Sequence, residues 1–175
     1  MRRSTGLMSV AAVAFLASSA FAQAKPNFAG TYTIVVDSAA MAQQQGMGGR
    51  GGGRGGGFGQ TFTATQDASK LTITRETQNG PVVSVYNLDG SDSKNTMQGR
   101  GGAMEVVSHA KWDGDKLVIS TTRDMGGTPM TSTQTLSTDA AGNLWVETSR
   151  PGQDGTMMTS KVQYKKGIPV KKEGN

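Results

Sequence analysis

The stretch that decides the fold is AKWDGDKLVIS, residues 110–120. Apolar side chains at Ala110 and Trp112, and again at Leu117 and Ile119, alternate with polar ones on either side of an Asp-Gly-Asp sequence. Alternation with a period of two is typical of a β-strand with one buried face, and Asp-Gly favours a tight turn. The stretch therefore predicts a β-hairpin.

The same alternation extends in both directions from this hairpin. Runs with the same period begin near residues 30, 61, 71, 144 and 157, and turn sequences rich in Asp, Asn and Gly separate them. No helical stretch follows the first two dozen residues. The pattern predicts an all-β fold, an antiparallel meander of nine or ten strands. With no helix to cover its apolar face, the sheet is expected to close into a barrel or a strongly curved sheet, with a β-sandwich as the alternative.

The first two dozen residues have the pattern of a secretory signal peptide. Two arginines open the chain, an apolar run follows over residues 7–17, and small residues lead to an Ala-Phe-Ala sequence. We expect residues 1–22 to be removed between Ala22 and Gln23, with a cut after Ala24 as the alternative. The run is too short to span a membrane, and the chain has no cysteine to accept a lipid anchor. Export to the periplasm or the medium is therefore expected, and not as a lipoprotein.

Composition favours one domain that packing alone must stabilise. The processed chain has about 150 residues, a single-domain length, and zero cysteines exclude disulfides and thiolate metal sites. We place the domain at residues 23–167 and a basic disordered tail at 168–175. Loss of two arginines with the signal peptide takes the net charge from +5 to +3. So small an excess does not point to a polyanionic partner.

Residues 41–59 form a segment of unusual composition, with ten glycines, three glutamines and two arginines. Glycine at this density favours a disordered insertion between two strands, because little apolar surface offsets the backbone entropy. Arginines set in glycine also occur in segments that bind nucleic acid, but two arginines and Phe58 supply little charge or stacking. We expect no nucleic-acid partner. QGRGGAM, residues 98–104, predicts a second flexible loop, and if both loops lie at one end of the sheet they can gate one opening.

The sequence offers little for catalysis. His109 is the only histidine, and it lies on the polar parity of its strand without a recognisable nucleophile or orienting partner. One histidine without cysteine cannot form a zinc site, and the aspartates in turns match no EF-hand spacing. We expect no metal and no cofactor. Hydrolase activity is the least supported function.

Several motifs resemble the small, lipocalin-like (calycin-like) secreted β-domains of environmental bacteria. PNFAGTYTI, from Pro26, is similar to the Asn-Phe-Ser-Gly-Thr-Trp opening of those uncharacterised families. The motifs YNLDGS, AKWDGDKLVI, ETSRPG and VQYKK continue the likeness as far as Lys166. Tyr32 stands where the calycin Gly-x-Trp opening has tryptophan. The resemblance implies a barrel-like domain with an interior that holds an apolar molecule, and it transfers no catalytic residue.

Two functions follow as expectations. The first is a non-enzymatic binding module for a small apolar ligand or an envelope component, with Tyr32, Phe62 and Trp112 as candidate ligand contacts. Core packing is the competing role for these three aromatic residues. The second is a structural or interaction protein with a filled core, which acts through its glycine-rich loops and basic tail.

Overall fold

The computed structural model describes residues 25–35, 57–99, 102–124, 126–152 and 155–167. Within these ranges there are ten β-strands and no helix, and so no helix that could span a membrane. The strands are Gly30–Ile34 (β1), Thr61–Gln66 (β2), Lys70–Thr77 (β3), Gly80–Asn87 (β4), Asp92–Gly99 (β5), Gly102–Asp113 (β6), Lys116–Asp124 (β7), Pro129–Thr138 (β8), Leu144–Pro151 (β9) and Met157–Lys166 (β10). The predicted signal peptide (1–22) and basic tail (168–175) lie outside the described residues.

All ten strands belong to one antiparallel sheet that curls into a nearly closed barrel. The sheet order is β4-β3-β2-β1-β10-β9-β8-β7-β6-β5. Strands that follow one another in sequence are therefore paired, except β4 and β5, which form the two edges of the sheet. The first and last strands pair with each other, with Tyr32 opposite Lys166 and Ile34 opposite Tyr164. The predicted meander and its curling are confirmed, and the sandwich alternative is not the observed fold.

The remaining seam, between β4 and β5, is bridged by side chains. The side-chain amide of Asn95 accepts a hydrogen bond from the Val85 N–H (2.8 Å) and donates one to the Val85 carbonyl (2.9 Å). Next to it, the Ser93 hydroxyl accepts a hydrogen bond from the Asn87 N–H at 2.8 Å. The Asn95 amide thus takes the place of a neighbouring strand, because it satisfies the backbone N–H and carbonyl of Val85. These hydrogen bonds link the two edges of the sheet.

The hairpin of residues 110–120 forms as its sequence predicts. Trp112 lies opposite Leu117 and Asp113 opposite Lys116, which leaves a two-residue loop. Gly114, the first loop residue, has a φ of +60°. Two-residue hairpin loops need positive φ at this position, and glycine adopts it without steric cost.

One end of the barrel, which we call the base, is closed by the chain that leads into β1. The Phe28 side chain is fully buried, and its ring stacks on Trp112 at 5.9 Å between centroids. The Gln66 side chain holds this segment, because it accepts a hydrogen bond from the Phe28 N–H and donates one to the Pro26 carbonyl. Because Gln66 and Trp112 lie on β2 and β6, the segment contacts well-separated parts of the wall.

The expected flexible loop over QGRGGAM is wrong for most of that segment. β5 continues to Gly99 and β6 begins at Gly102, and these two glycines lie opposite each other. The antiparallel ladder pairs the backbone groups whatever the side chains are, so glycine content alone does not end a strand here. Only residues 100–101 lie outside the description.

Candidate functional site

The inward faces of the strands divide the interior into two halves of different character. At the base, the inward side chains are apolar and 0–1% exposed; they are Leu71, Ile73, Ala110, Leu117, Ile119, Leu136, Leu144 and Val146. Such low exposure leaves no room for even a water molecule beside them, and the burial of this cluster supplies the main hydrophobic stabilisation of the fold. The base of the barrel is a filled core.

Above this core the inward side chains become small and polar. Cross-strand pairs place Ser93 opposite Ser108, Ser108 opposite Thr121, and Thr121 opposite Ser132. A second row places Gln134 opposite Thr148 and Thr148 opposite Ser160. Six of these seven residues carry a hydroxyl and Gln134 carries an amide, and we call the set the hydroxyl belt: Ser93, Ser108, Thr121, Ser132, Gln134, Thr148 and Ser160.

The two rows of the belt differ in how their hydroxyls are satisfied. Ser108 and Thr121 are both buried, and their hydroxyls form a hydrogen bond of 2.8 Å. Thr148 is 8% exposed, and its buried Oγ1 has no hydrogen-bond partner. A buried hydroxyl without a partner costs about 1–3 kcal/mol, so it calls for a physical explanation.

Beyond the belt, three arginines take inward strand positions at the opposite end from the base, which we call the open half. Arg75 follows Leu71 and Ile73 on β3 with the same parity, Arg123 follows Thr121 on β7, and Arg150 follows Thr148 on β9. Arg75 and Arg123 are half-buried, whereas Arg150 is exposed at the rim. On the described strands, no Asp or Glu occupies an inward position of this half.

None of these arginines is neutralised by a carboxylate among the described residues. The salt bridges there join Lys94 to Glu105 and His109 to Asp92, each at 3.4 Å, and both pairs lie on the outer surface. Half-buried cations without a counter-ion leave this end of the interior positively charged.

The charge of Arg75 acts to lower the pKa of two buried tyrosines. Burial raises the pKa of Tyr86 on β4, and the Ser84 hydroxyl and the charge of Arg75 partly offset that rise. Burial also raises the pKa of Tyr164 on β10, against the opposing effects of the Phe58 N–H and again of Arg75. These two tyrosines lie on strands to either side of β3, so the guanidinium acts on groups across the interior.

Two of the three predicted ligand contacts come together in one aromatic cluster. The Tyr32 and Phe62 rings stack at 5.1 Å, and the Phe62 ring meets Tyr164 edge to face at 5.0 Å. Burial of Tyr32 to 1% exposure raises the pKa of its hydroxyl. Trp112 lies elsewhere, half-buried at the base against Phe28, with the Lys25 ammonium 5.4 Å from its ring centroid. All three residues make packing contacts.

The end of the predicted 41–59 insertion is part of this aromatic cluster. Phe58 is 4% exposed and packs edge to face on Phe62 at 5.1 Å. The Tyr164 hydroxyl accepts a hydrogen bond from the Phe58 N–H (3.0 Å) and donates one to the Gly59 carbonyl (2.9 Å). A Cβ on Gly57 would come within 2.6 Å of that hydroxyl, so a side chain has no room there. Residues 36–56 lie outside the described residues.

The two glycine-rich connections leave from the same end of the barrel. In an antiparallel meander, the connections that follow odd-numbered strands share one end. The β1–β2 and β5–β6 connections both follow odd-numbered strands, as do the carboxyl ends of β3, β7 and β9 that carry the arginines. Whether these connections gate the opening stays a prediction.

The outer surface accounts for the remaining residues that the sequence singles out. His109 is exposed, and its Nδ1 lies 3.4 Å from the Gly90 carbonyl and from the Asp92 carboxylate. The Trp145 indole donates a hydrogen bond to Asp139, and the Lys161 ammonium lies 5.1 Å from its ring centroid. Within the described ranges, no three His, Asp or Glu side chains lie close enough together to hold a metal ion.

Sequence reasoning missed the hydroxyl belt and the inward arginines. The available signal was strand parity, since Arg75, Arg123 and Thr148 share the parity of buried neighbours such as Ile73, Ile119 and Val146. The belt can donate and accept hydrogen bonds and the arginines can bind anions. The inward positions of the described strands hold no imidazole or carboxylate to act as a general base toward them.

A comparison of the chain with protein-family models found no match, and a comparison with curated proteins found none either. The nearly closed, ten-stranded antiparallel meander is compatible with a calycin-like fold.

Proposed function

We propose that this chain is an exported, non-enzymatic binding domain of the lipocalin-like type, which holds a small molecule in the open half of its barrel. The motifs from Pro26 onward support the family, together with a barrel compatible with a calycin-like fold. Export rests on the signal-peptide pattern of residues 1–22. A small apolar ligand or an envelope component is the occupant expected from the sequence.

The observation that carries the proposal is the change of the inward side chains from a filled apolar base to partly exposed polar side chains above it. Ser132, Gln134 and Ser160 in the belt remain partly exposed, so their polar groups can form hydrogen bonds to a bound molecule. The filled base closes the site from below.

Methionines supply the apolar part of the proposed site. Met97 and Met104 lie opposite each other on β5 and β6 with inward parity, and Met130 and Met158 have inward parity on β8 and β10. Unbranched, polarisable side chains adapt to ligands of different shape. The open half therefore combines adaptable apolar contacts with fixed polar groups, as small-molecule sites do.

The test is a titration of the mature protein with the neutral fluorescent probe 1-aminoanthracene. We expect saturable binding at one site per chain, loss of that binding in Ser160→Phe, and retention in Thr159→Phe. Ser160 faces inward beside Thr148, whereas the adjacent Thr159 is exposed on the outer face, so the pair separates filling of the interior from a general effect of phenylalanine. Absence of saturable binding, or equal binding by the two variants when both are folded, contradicts the proposal.

A second candidate function is supported by the filled base. Because the apolar core leaves no space at 0–1% exposure, the domain can also serve as a scaffold that presents its glycine-rich connection to an envelope component. Deletion of residues 41–56, which spares Phe58 in the core, tests this function. Loss of retention on the cell envelope with unchanged probe binding favours the scaffold; unchanged retention removes the segment from consideration.

A further inference from the structure

Two methionine side chains face each other inside the open half. Met97 on β5 lies directly opposite Met104 on β6. The neighbouring residues of the same parity, Asn95 and Val106, are buried, so both thioethers have inward positions, and each remains partly exposed. Among the strand pairs of the described residues, this is the one position where two methionines oppose each other. The sheet register therefore brings two sulfur ligands to one place.

The spacing of the pair suits one metal ion held between the two sulfurs. Directly opposed residues of antiparallel strands have their Cβ atoms about 4.5–5.5 Å apart. Two metal–sulfur bonds of about 2.3 Å, the length that zinc forms to sulfur, place the sulfurs at most about 4.6 Å apart. Each sulfur is joined to its Cβ through one methylene group of a flexible, unbranched side chain. Both sulfurs can therefore reach the same ion without movement of the backbone.

The groups around the pair favour a soft ion of low charge. Thioethers are soft ligands that select Cu(I), whereas hard cations need several oxygens. The next inward side chain on β5, the Asn95 amide, is engaged through both its oxygen and its nitrogen with Val85. Lys94 and Glu105 on the same two strands pair with each other on the outer surface. The inward charge of β7, Arg123, repels cations, and a monovalent ion is repelled least.

We propose that Met97 and Met104 form a binding site for a soft, monovalent metal ion of the Cu(I) class. The ion is bound through the two sulfurs and enters from the open end of the barrel. The expectation of no metal from the sequence concerned imidazole, thiolate and carboxylate ligands, and thioethers lie outside it. This site goes beyond the proposed small-molecule function and does not depend on it.

Binding by thioethers should be independent of pH. Thiolate and imidazole ligands lose a proton when they bind a metal, but a thioether has none to lose. On the strands next to the pair, the inward ionisable groups are Arg123 on β7 and Tyr86 on β4. The guanidinium stays charged and burial raises the pKa of Tyr86, so neither changes its charge between about pH 5 and pH 8. His109, the only histidine, lies on the outer surface and is the contrasting ligand.

The test is a titration of the mature protein with Ag(I), a soft monovalent ion that replaces Cu(I) without redox chemistry, in chloride-free buffer. Calorimetry measures the affinity, and NMR of protein labelled with carbon-13 in the methionine methyl groups identifies the ligands. We expect one ion per chain, shifts of the Met97 and Met104 methyl signals, and an affinity that agrees within about twofold at pH 5 and pH 8. Zn(II) should shift neither signal.

Conservative variants assign the site to residues. Met97→Leu and Met104→Leu keep the side-chain volume and remove one sulfur each, so each should weaken Ag(I) binding about tenfold or more. Met130→Leu and Met158→Leu are matched controls, because these inward methionines of the open half each lie opposite an arginine. These controls and His109→Gln should leave the affinity within about twofold. Circular dichroism establishes that each variant is folded.

The outcomes separate this site from the proposed function. Ag(I) binding that survives both Met97→Leu and Met104→Leu, or that is lost in His109→Gln, refutes the site. Loss of binding at the lower pH also refutes it, because a thioether does not titrate. Failure of 1-aminoanthracene to bind removes the small-molecule function and leaves the metal site standing, whereas unshifted methionine signals remove the metal site alone.

Discussion

The base and the open half of this barrel are built from the same strands but in opposite ways. At the base, inward Leu, Ile and Val side chains pack to 0–1% exposure. In the open half, β5 to β10 carry Ser, Thr, Arg and Met at inward positions, and many of these remain partly exposed, whereas Phe58, Phe62 and Tyr32 pack against one another on the β1–β2 side. Hydrophobic stabilisation is therefore concentrated in the base and in this aromatic cluster, and the inward positions of β5 to β10 above the base carry groups that stability alone does not select.

Side chains fix turns at both ends of the barrel. At the base, Asp67 and Asp89 each accept hydrogen bonds from the backbone N–H and the hydroxyl of the serine two residues later, and Asp139 links its own turn to β9 and β10. At the other end, the Asp124 carboxylate accepts a hydrogen bond from the Gly127 N–H in the β7–β8 turn. The two ends therefore differ in the packing of their inward side chains and not in how their turns are held.

The largest expected effect comes from removal of core volume at the base. Leu144→Ala should lower the free energy of unfolding by about 2–5 kcal/mol, because it leaves a cavity in a filled core. Met130→Ala, the matched truncation in the open half, should cost less than about 1 kcal/mol because its side chain is half-buried at the rim. Urea unfolding at neutral pH measures both. Equal losses would remove the distinction between the two halves.

The seam provides the next effect. Asn95→Ala deletes both hydrogen bonds to Val85 and leaves the Val85 N–H and carbonyl without these partners. The substitution should therefore destabilise the protein by about 1–3 kcal/mol. Lys94→Ala, the exposed neighbour on the same strand, should change stability by less than about 0.5 kcal/mol. A neutral Asn95→Ala would show that the amide does not stabilise the seam.

Within the belt, two identical substitutions should act with opposite sign. Thr121→Val leaves the Ser108 hydroxyl without its partner and should destabilise the protein by about 1–2 kcal/mol. Thr148→Val removes a buried hydroxyl that has no partner and should stabilise the protein by about 1 kcal/mol. Thermal unfolding measures the pair. Destabilisation by Thr148→Val would show that its hydroxyl is satisfied.

The smallest effect concerns acid. Hydrogen bonds from the Asn143 amide, and further ones from Trp145 and the turn backbone, hold the pKa of Asp139 below its ordinary value. A depressed carboxyl pKa stabilises the folded state above the unfolded-state value near 4, and this contribution is lost as the pH falls through the folded pKa. Asp139→Asn should therefore narrow the difference in urea midpoint between pH 7 and pH 3. An unchanged difference would contradict this role.

Sequence alone predicted the strands and the closure of the sheet, because a period of two fixes which side chains face inward wherever the pattern is regular. It did not predict the seam, since the link between Asn95 and Val85 depends on which edges the curled sheet brings together. The parity that identifies Leu117 and Ile119 as inward also applies to Arg123. A charged residue at a strand end is usually solvated, so the sequence alone gives no reason to place the Arg123 side chain inside the barrel. Phe58 falls within the glycine-rich segment by composition, and its burial could not be predicted because it depends on Phe62 and Tyr164, of which Tyr164 is distant in sequence.

The most direct test of a filled base beneath an open half uses the absence of native cysteine. Single cysteines are introduced at two inward positions, Ser132→Cys in the belt and Val146→Cys in the base, and the folded proteins react with a thiol reagent. We predict that the cysteine at 132 reacts without unfolding, within about tenfold of an exposed control at Thr159→Cys, whereas the cysteine at 146 reacts only at the rate of global unfolding. Equal protection of positions 132 and 146 would contradict the account, because the interior would then be closed throughout.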